Sequence, residues 1–154
     1  IFFLGDSLVG KTTIIDRYIS GEFHDKQPLT VNVGFYSKTL PNSNQSLKIT
    51  DSSGQKKFRS FLLSYLHNID VFVLVYDITK KSSFDNLDYW LSLINEQESS
   101  TIFIVGNKTD LSDRREVPTE DGQNYADVNK FHFFEISSFD GTNIDYLFTE
   151  ISQA

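Results

Sequence analysis

The residues with the most chemical content come first in the chain: Gly5, Asp6, Ser7, Leu8, Val9, Gly10, Lys11 and Thr12 match the pattern G-x-x-x-x-G-K-[ST]. Glycines at that spacing let a loop wrap tightly with its backbone N–H groups pointing inward, and a helix starting at the lysine adds its positive dipole end. Such a loop holds phosphate. Lys11 reaches the terminal phosphates as a point charge, and the Thr12 hydroxyl is a hard oxygen donor for Mg²⁺. Leu8, Val9, Gly10, Lys11, Thr12 and Thr13 are therefore the candidate phosphate contacts.

That loop specifies a nucleoside triphosphate but not its base. A second polar cluster, Asn107, Lys108, Thr109 and Asp110, follows the apolar run 102–105. A carboxylate there accepts from both N1 and the exocyclic amine of guanine, donors that adenine does not present in that arrangement. Asn107, Lys108 and Asp110 are the candidate base contacts, and a site built this way rejects analogues that lack those donors. Between the two clusters lies Asp51-Ser52-Ser53-Gly54-Gln55. Asp51 is placed to hold Mg²⁺ through water, Gly54 to offer its N–H to a terminal phosphate, and Gln55 to orient an attacking water. Alone, Asp51 reads as a strand-end turn residue. In series with the other two clusters it reads as part of a triphosphate hydrolase, with Gln55 and Lys11 as the catalytic candidates.

These residues have that meaning only if strands and helices place them together. Ile1 to Leu4 is an apolar run ending at a glycine, and Ile14, Ile15, Tyr18 and Ile19 recur at helical spacing, so the first cluster joins a strand to a helix. Residues 33–40 and 47–50 flank the turn-rich Pro41, Asn42, Ser43 and Asn44 and predict a hairpin, with Asp51 at the end of its second strand. Runs 71–76 and 102–105 lack alternation and predict fully buried strands. Ser82 and Ser83 can cap a helix whose apolar face is Phe84, Leu87, Trp90, Leu91 and Ile94. A helix follows Pro118, then a strand over 131–136, then a helix with Ile144, Leu147, Phe148 and Ile151 on one stripe. Alternating strands and helices predict an α/β fold whose sheet is mostly parallel and covered on both faces, with ligands at the carboxyl ends of its strands.

The chain has 154 residues, 14 basic against 21 acidic side chains and a formal net charge of −7. A length of this order buries enough surface for one core, and the composition is not that of a disordered, collagenous or coiled-coil chain. An acidic balance without a basic cluster argues against nucleic acid, so any phosphate must be held locally. No cysteine is present, which excludes a disulfide framework and thiolate zinc sites. No apolar run is long enough to cross a bilayer as a helix. The chain has no methionine and opens inside a predicted strand, which predicts a domain over 1–154 truncated at both ends.

The motifs resemble those of the Rab family of small GTPases, in the Ras superfamily, over essentially the whole length. Segments 35–40, Phe58-Arg59-Ser60, Tyr76-Asp77-Ile78-Thr79 and 107–111 look closest to the Golgi-trafficking branch. The resemblance implies a P-loop NTPase small G domain: a mostly parallel six-stranded sheet with one antiparallel edge strand and helices on both faces. It implies that Thr30, with Thr12 and Asp51, holds Mg²⁺, that Phe23 packs against guanine, and that Ser137, Ser138 and Phe139 form the third base-binding motif, where the backbone N–H of the middle residue meets the guanine oxygen. It also implies a switch that alternates between GTP and GDP in vesicle trafficking, with an exchange factor, an activating protein and effectors reading the loops around Thr30 and Gly54. Intrinsic hydrolysis at such sites is on the order of 10⁻⁴ per second. The expected location is cytoplasmic, peripheral on Golgi or endosomal membranes, with membrane contact only through a lipidated tail outside this chain.

Several positions depart from that family. Phe139 stands for a lysine, Gln27 for a tyrosine that closes over the phosphates, and Leu8 for a phosphate-loop glycine. Lys56 replaces a glutamate, so it is expected to repel Lys11. Ser53 replaces an alanine near the third phosphate, which predicts slow hydrolysis. The surface aromatic triad becomes Phe35, Thr50 and Tyr65, without its central tryptophan, which predicts an unusual effector set. Gln27, Ser53, Lys56 and Thr50 together motivate an alternative, a nucleotide-bound scaffold that does not cycle. An ATP-using phosphotransferase on the same fold is disfavoured by 107–110.

Overall fold

A computed structural model describes residues 1–41, 43–94 and 99–154. Six strands, β1 (Phe2–Leu4), β2 (Val33–Thr39), β3 (Ser46–Ser52), β4 (Val71–Asp77), β5 (Thr101–Asn107) and β6 (His132–Glu135), form one sheet in the order β2-β3-β1-β4-β5-β6. All neighbours are parallel except the edge hairpin β2–β3. Asn42, in the predicted turn of that hairpin, lies outside the described residues.

Side chains one residue apart on a strand face opposite sides of a sheet, and here both sides are core. Phe3, Val73, Val75, Phe103 and Val105 pack under helices α1 (Lys11–Ser20), with Ile14 and Ile15, and α6 (Ile144–Gln153), with Ile144, Leu147, Phe148 and Ile151. Phe2, Phe72, Leu74, Tyr76 and Ile104 pack on the other side. There they meet Leu62 of α2 (Arg59–Leu62), Leu87 and Trp90 of α4 (Leu87–Ser92), and Ala126 of α5 (Thr119–Asn129). Two covered faces are why β4 and β5 show no alternation in sequence.

Three local expectations are corrected. Ser82 and Ser83 cap nothing: they lie inside α3 (Lys81–Asp85), whose N-cap is Lys80, and the buried Ser83 hydroxyl instead bonds the backbone of Asp77 and Lys80. The single helix expected there is two, broken at Asn86, whose side-chain amide is drawn to Asp6 at 2.7 Å. β3 runs on through Asp51 and Ser52 because both pair with β2 and the buried Ser52 hydroxyl donates to the Phe3 carbonyl at 2.6 Å; Asp51 is therefore a strand residue.

Candidate functional site

The loop between β1 and α1 turns at two glycines for different reasons. A Cβ on Gly5 would strike the Val75 carbonyl of β4, and one on Gly10 would strike the Asn107 side chain. Gly5, Gly10 and Leu8 have φ of 146°, 100° and 68°. Leu8 thus takes the left-handed backbone that its glycine counterpart adopts without strain, and its side chain is exposed. Lys11 is buried, and its ammonium donates to the carbonyls of Gly5 at 2.8 Å and Asp6 at 2.9 Å. Burial pulls it down to about 8 against the fields of Asp51 and Asp6. A buried cation with incomplete compensation is suited to an anion. The cation that opposes Lys11 is Arg59; Lys56, expected to do so, is exposed.

At the start of α1 the Thr12 hydroxyl meets the Asp51 carboxylate and lies 2.8 Å from the Thr30 hydroxyl, which reaches the same carboxylate oxygen at 3.2 Å. The other oxygen of Asp51 is buried without a hydrogen-bond partner, and burial holds this carboxyl above its usual range despite Thr12 and Lys11. Two hydroxyls and a carboxylate with an orphaned oxygen make a donor set of hard oxygens that fits Mg²⁺. Among the described residues there is no group of three or more His, Cys, Asp or Glu suited to a metal.

The loops bearing Thr30 and Gln55 are tied together beside this point. The Gln55 side chain donates to the Thr30 carbonyl at 3.2 Å, and the Ser53 N–H donates to the Asn32 carbonyl at 2.7 Å. Ser53 is fully buried, and its hydroxyl accepts from the Gln55 N–H at 3.2 Å, so the added oxygen braces the loop. Gly54 lies so close to Asp6 and Ser7 that a Cβ would collide with their backbone.

The carboxyl ends of β5 and β6 supply the other end of the same cavity, about 730 Å³, lined by Leu8, Gly10, Lys11, Thr12, Thr13, Phe23, Thr30, Gly54, Lys108, Asp110, Ser138 and Phe139 among others. Asn107 joins three loops. Its amide donates to the Val9 carbonyl at 3.0 Å, and its oxygen accepts from the Ser138 N–H at 3.1 Å. The middle amide of the third motif is thus spent on Asn107 in this structure. Val9 faces the core and contributes only backbone. Ser137 donates to Asp110 at 2.7 Å, which orients that exposed carboxylate. Phe23 meets Phe139 edge to face, centroids 5.1 Å apart, so the phenyl ring at the lysine position becomes part of an aromatic wall. Gln27 donates to Asp16 on α1 at 3.0 Å.

Sequence reasoning assigned no role to Asp77 or Asp6. Asp77 ends β4 opposite Asn107, is buried, and pairs with Lys108 at 2.6 Å, while Lys108 also donates to the Leu8 carbonyl at 2.9 Å. The signal was available: a carboxylate at the end of a buried strand, one strand away from the base cluster.

A phosphate-type loop, a carboxylate-and-hydroxyl cluster and a base-sized aromatic end in one cavity match a known family. The Ras family model covers residues 1–154. The chain belongs to the Ras family. It is 37% identical over 155 residues to Ras-related protein Rab-11C of Dictyostelium discoideum, and 35% identical over 155 residues to Ras-related protein RABA4a of Arabidopsis thaliana. Each match covers 98% of this chain and 69% of the relative. It is a Rab-type small GTPase, a hydrolase of a family that binds GTP and GDP. Membership does not favour the non-cycling scaffold.

Proposed function

We propose that this chain is a GTP-operated switch of vesicle trafficking, active with GTP and relaxed with GDP. The observation that supports it is the meeting of Thr12, Thr30 and Asp51 at one point, with Gln55 hydrogen-bonded to the same Thr30-bearing loop. Two separate loops, around Thr30 and Gly54, therefore depend on whatever lies between them and Lys11. Thr12, Thr30 and Asp51 would hold Mg²⁺, which when bound supplies positive charge beside the phosphates. Lys11 supplies the fixed cation, Gly54 a backbone donor, and Gln55 orients the attacking water. Asn107, Lys108, Asp110, Ser137, Ser138, Phe23 and Phe139 form the guanine end. Loss of the third phosphate releases the contacts that hold both loops, and partners read the result. Intrinsic turnover is slow and depends on an activating protein, because among the described residues no arginine lines the cavity. Exchange factors and effectors engage the same loops, with the Phe35–Tyr65 contact, 6.1 Å between centroids, as the surviving part of the aromatic triad. The working location is the cytoplasmic face of Golgi or endosomal membranes.

Amide hydrogen exchange tests the switch. Segments 27–34 and 53–60 should exchange more slowly with a non-hydrolysable GTP analogue than with GDP, while β4 and β5 stay the same; equal exchange in both states would refute it.

A further inference from the structure

We propose that Arg59 is a positioning residue for hydrolysis: it pins the segment carrying Gln55 to the phosphate loop, making 54–59 an arch with both feet on Asp6. The inference rests on the reading of Gln55 as the residue that orients water.

The first foot is Gly54, packed against the Asp6 carbonyl and the Ser7 nitrogen with no room for a Cβ. The second is Arg59, whose guanidinium lies 3.6 Å from the Asp6 carboxylate. Asp6 is itself immobilised. Trp90 donates its indole N–H to one carboxylate oxygen at 2.8 Å, Asn86 donates to the other at 2.7 Å, and the Asp6 carbonyl receives Lys11 at 2.9 Å. Arg59 is clamped too, with its guanidinium over the rings of Tyr89 at 4.4 Å and Trp90 at 4.8 Å. Between the feet the arch is short. The Phe58 N–H closes a turn on the Gln55 carbonyl at 3.0 Å, and the Gln55 N–H meets the Ser53 hydroxyl.

Four residues held at both ends have few conformations open to them, so Gln55 takes its place beside Thr30 at a small ordering cost each time GTP is bound. A residue chosen only to fill the space beside Tyr89 and Trp90 would be aliphatic or aromatic. Arg59 instead buries an Nε–H without a hydrogen-bond partner, a cost that packing alone does not explain. The charge matters because Asp6 joins the arch to the loop that holds Lys11.

The test is single-turnover hydrolysis of preloaded GTP by the wild type, Gln55→Leu, Arg59→Ala, Arg59→Lys and the Arg59→Ala/Gln55→Leu double variant, with GTP affinity measured beside it. Arg59→Ala should slow hydrolysis on the order of tenfold or more with affinity nearly unchanged, Arg59→Lys should recover part of the loss, and the double variant should be no slower than Gln55→Leu. Trp90 is the only tryptophan of the chain, so its emission reads the second foot directly. The change in emission between GTP and GDP forms should vanish in Arg59→Ala. Should Arg59→Ala fold poorly, Asp6→Asn keeps an acceptor for Trp90 while removing the charge, and should slow hydrolysis as well. A normal rate in Gln55→Leu would overturn the reading of Gln55. A slow Gln55→Leu with a normal Arg59→Ala, or losses that multiply in the double variant, would overturn the role of Arg59 alone.

Discussion

In the proposed function Asp110 carries the selectivity of the guanine end, and the Ser137 hydroxyl supports that role. By donating to one carboxylate oxygen it fixes the plane of the group and leaves acceptor capacity toward the cavity. Asp110→Asn would put a donor where guanine presents donors, so preference should move from GTP toward XTP by a factor on the order of a hundred or more in direct competition. Unchanged preference would remove Asp110 from base reading. This residue was legible in the sequence because its chemistry is contiguous: four polar residues after an apolar run. The same holds for Gly5 to Thr12. Asp6, Arg59 and Trp90 were not legible as a unit, because they come from three distant parts of the chain and meet only after the sheet forms. The consequences of Ser53 and Phe139 also needed coordinates. A hydroxyl added beside a phosphate site predicts disturbance from sequence, and only its bond to the Gln55 N–H shows it bracing the loop.

Among the elements, the parallel pairing of β4 and β5 does the positioning. Register places Asp77 opposite Asn107, and the next residue, Lys108, turns left-handed at φ 72° and returns its ammonium to Asp77 and to the Leu8 carbonyl. Burial would raise the Asp77 carboxyl, but the bonds from Lys108 and Thr79 outweigh it and hold it below the ordinary 3.8. A depressed carboxylate stabilises the fold above its unfolded value, and that contribution is lost as pH falls through the folded one. Asp77→Asn should therefore unfold more readily than wild type at about pH 7, with the gap narrowing by about pH 3, in urea or thermal unfolding. A gap independent of pH would contradict the pairing. The strand cores were read correctly from their apolar runs, yet β3, β4 and β5 all extend further at their carboxyl ends. Apart from Gly106, those extra residues, Asp51, Ser52, Asp77 and Asn107, are polar side chains kept in strands by neighbouring strands and loops, against the local apolar pattern. The residue between α3 and α4, Asn86, likewise makes a tertiary contact that the helical pattern does not announce, donating to Asp6 on the phosphate loop.

The whole molecule is a sheet covered on both faces, with the polar residues gathered where its strands end. The mostly parallel direction of the strands followed from alternating apolar runs and helices, because a crossover between parallel strands needs a helix to cover it, whereas the order of the strands is seen only in the structure. A net charge of −7 belongs to a chain whose cavity has the buried Lys11 in its lining, so in the proposed function an anion is held by local geometry and not by the field of the surface. Among the described residues no helix is long and apolar enough to cross a membrane. What remains decisive is whether this cavity takes guanine nucleotide and turns it over. The most direct measurement is to release and identify the nucleotide carried by the purified protein, reload it with GTP and Mg²⁺, and follow one turnover. The account predicts guanine nucleotide and slow, measurable hydrolysis, on the order of 10⁻⁴ per second. An absence of guanine nucleotide binding, or bound GTP that is never hydrolysed, would contradict it.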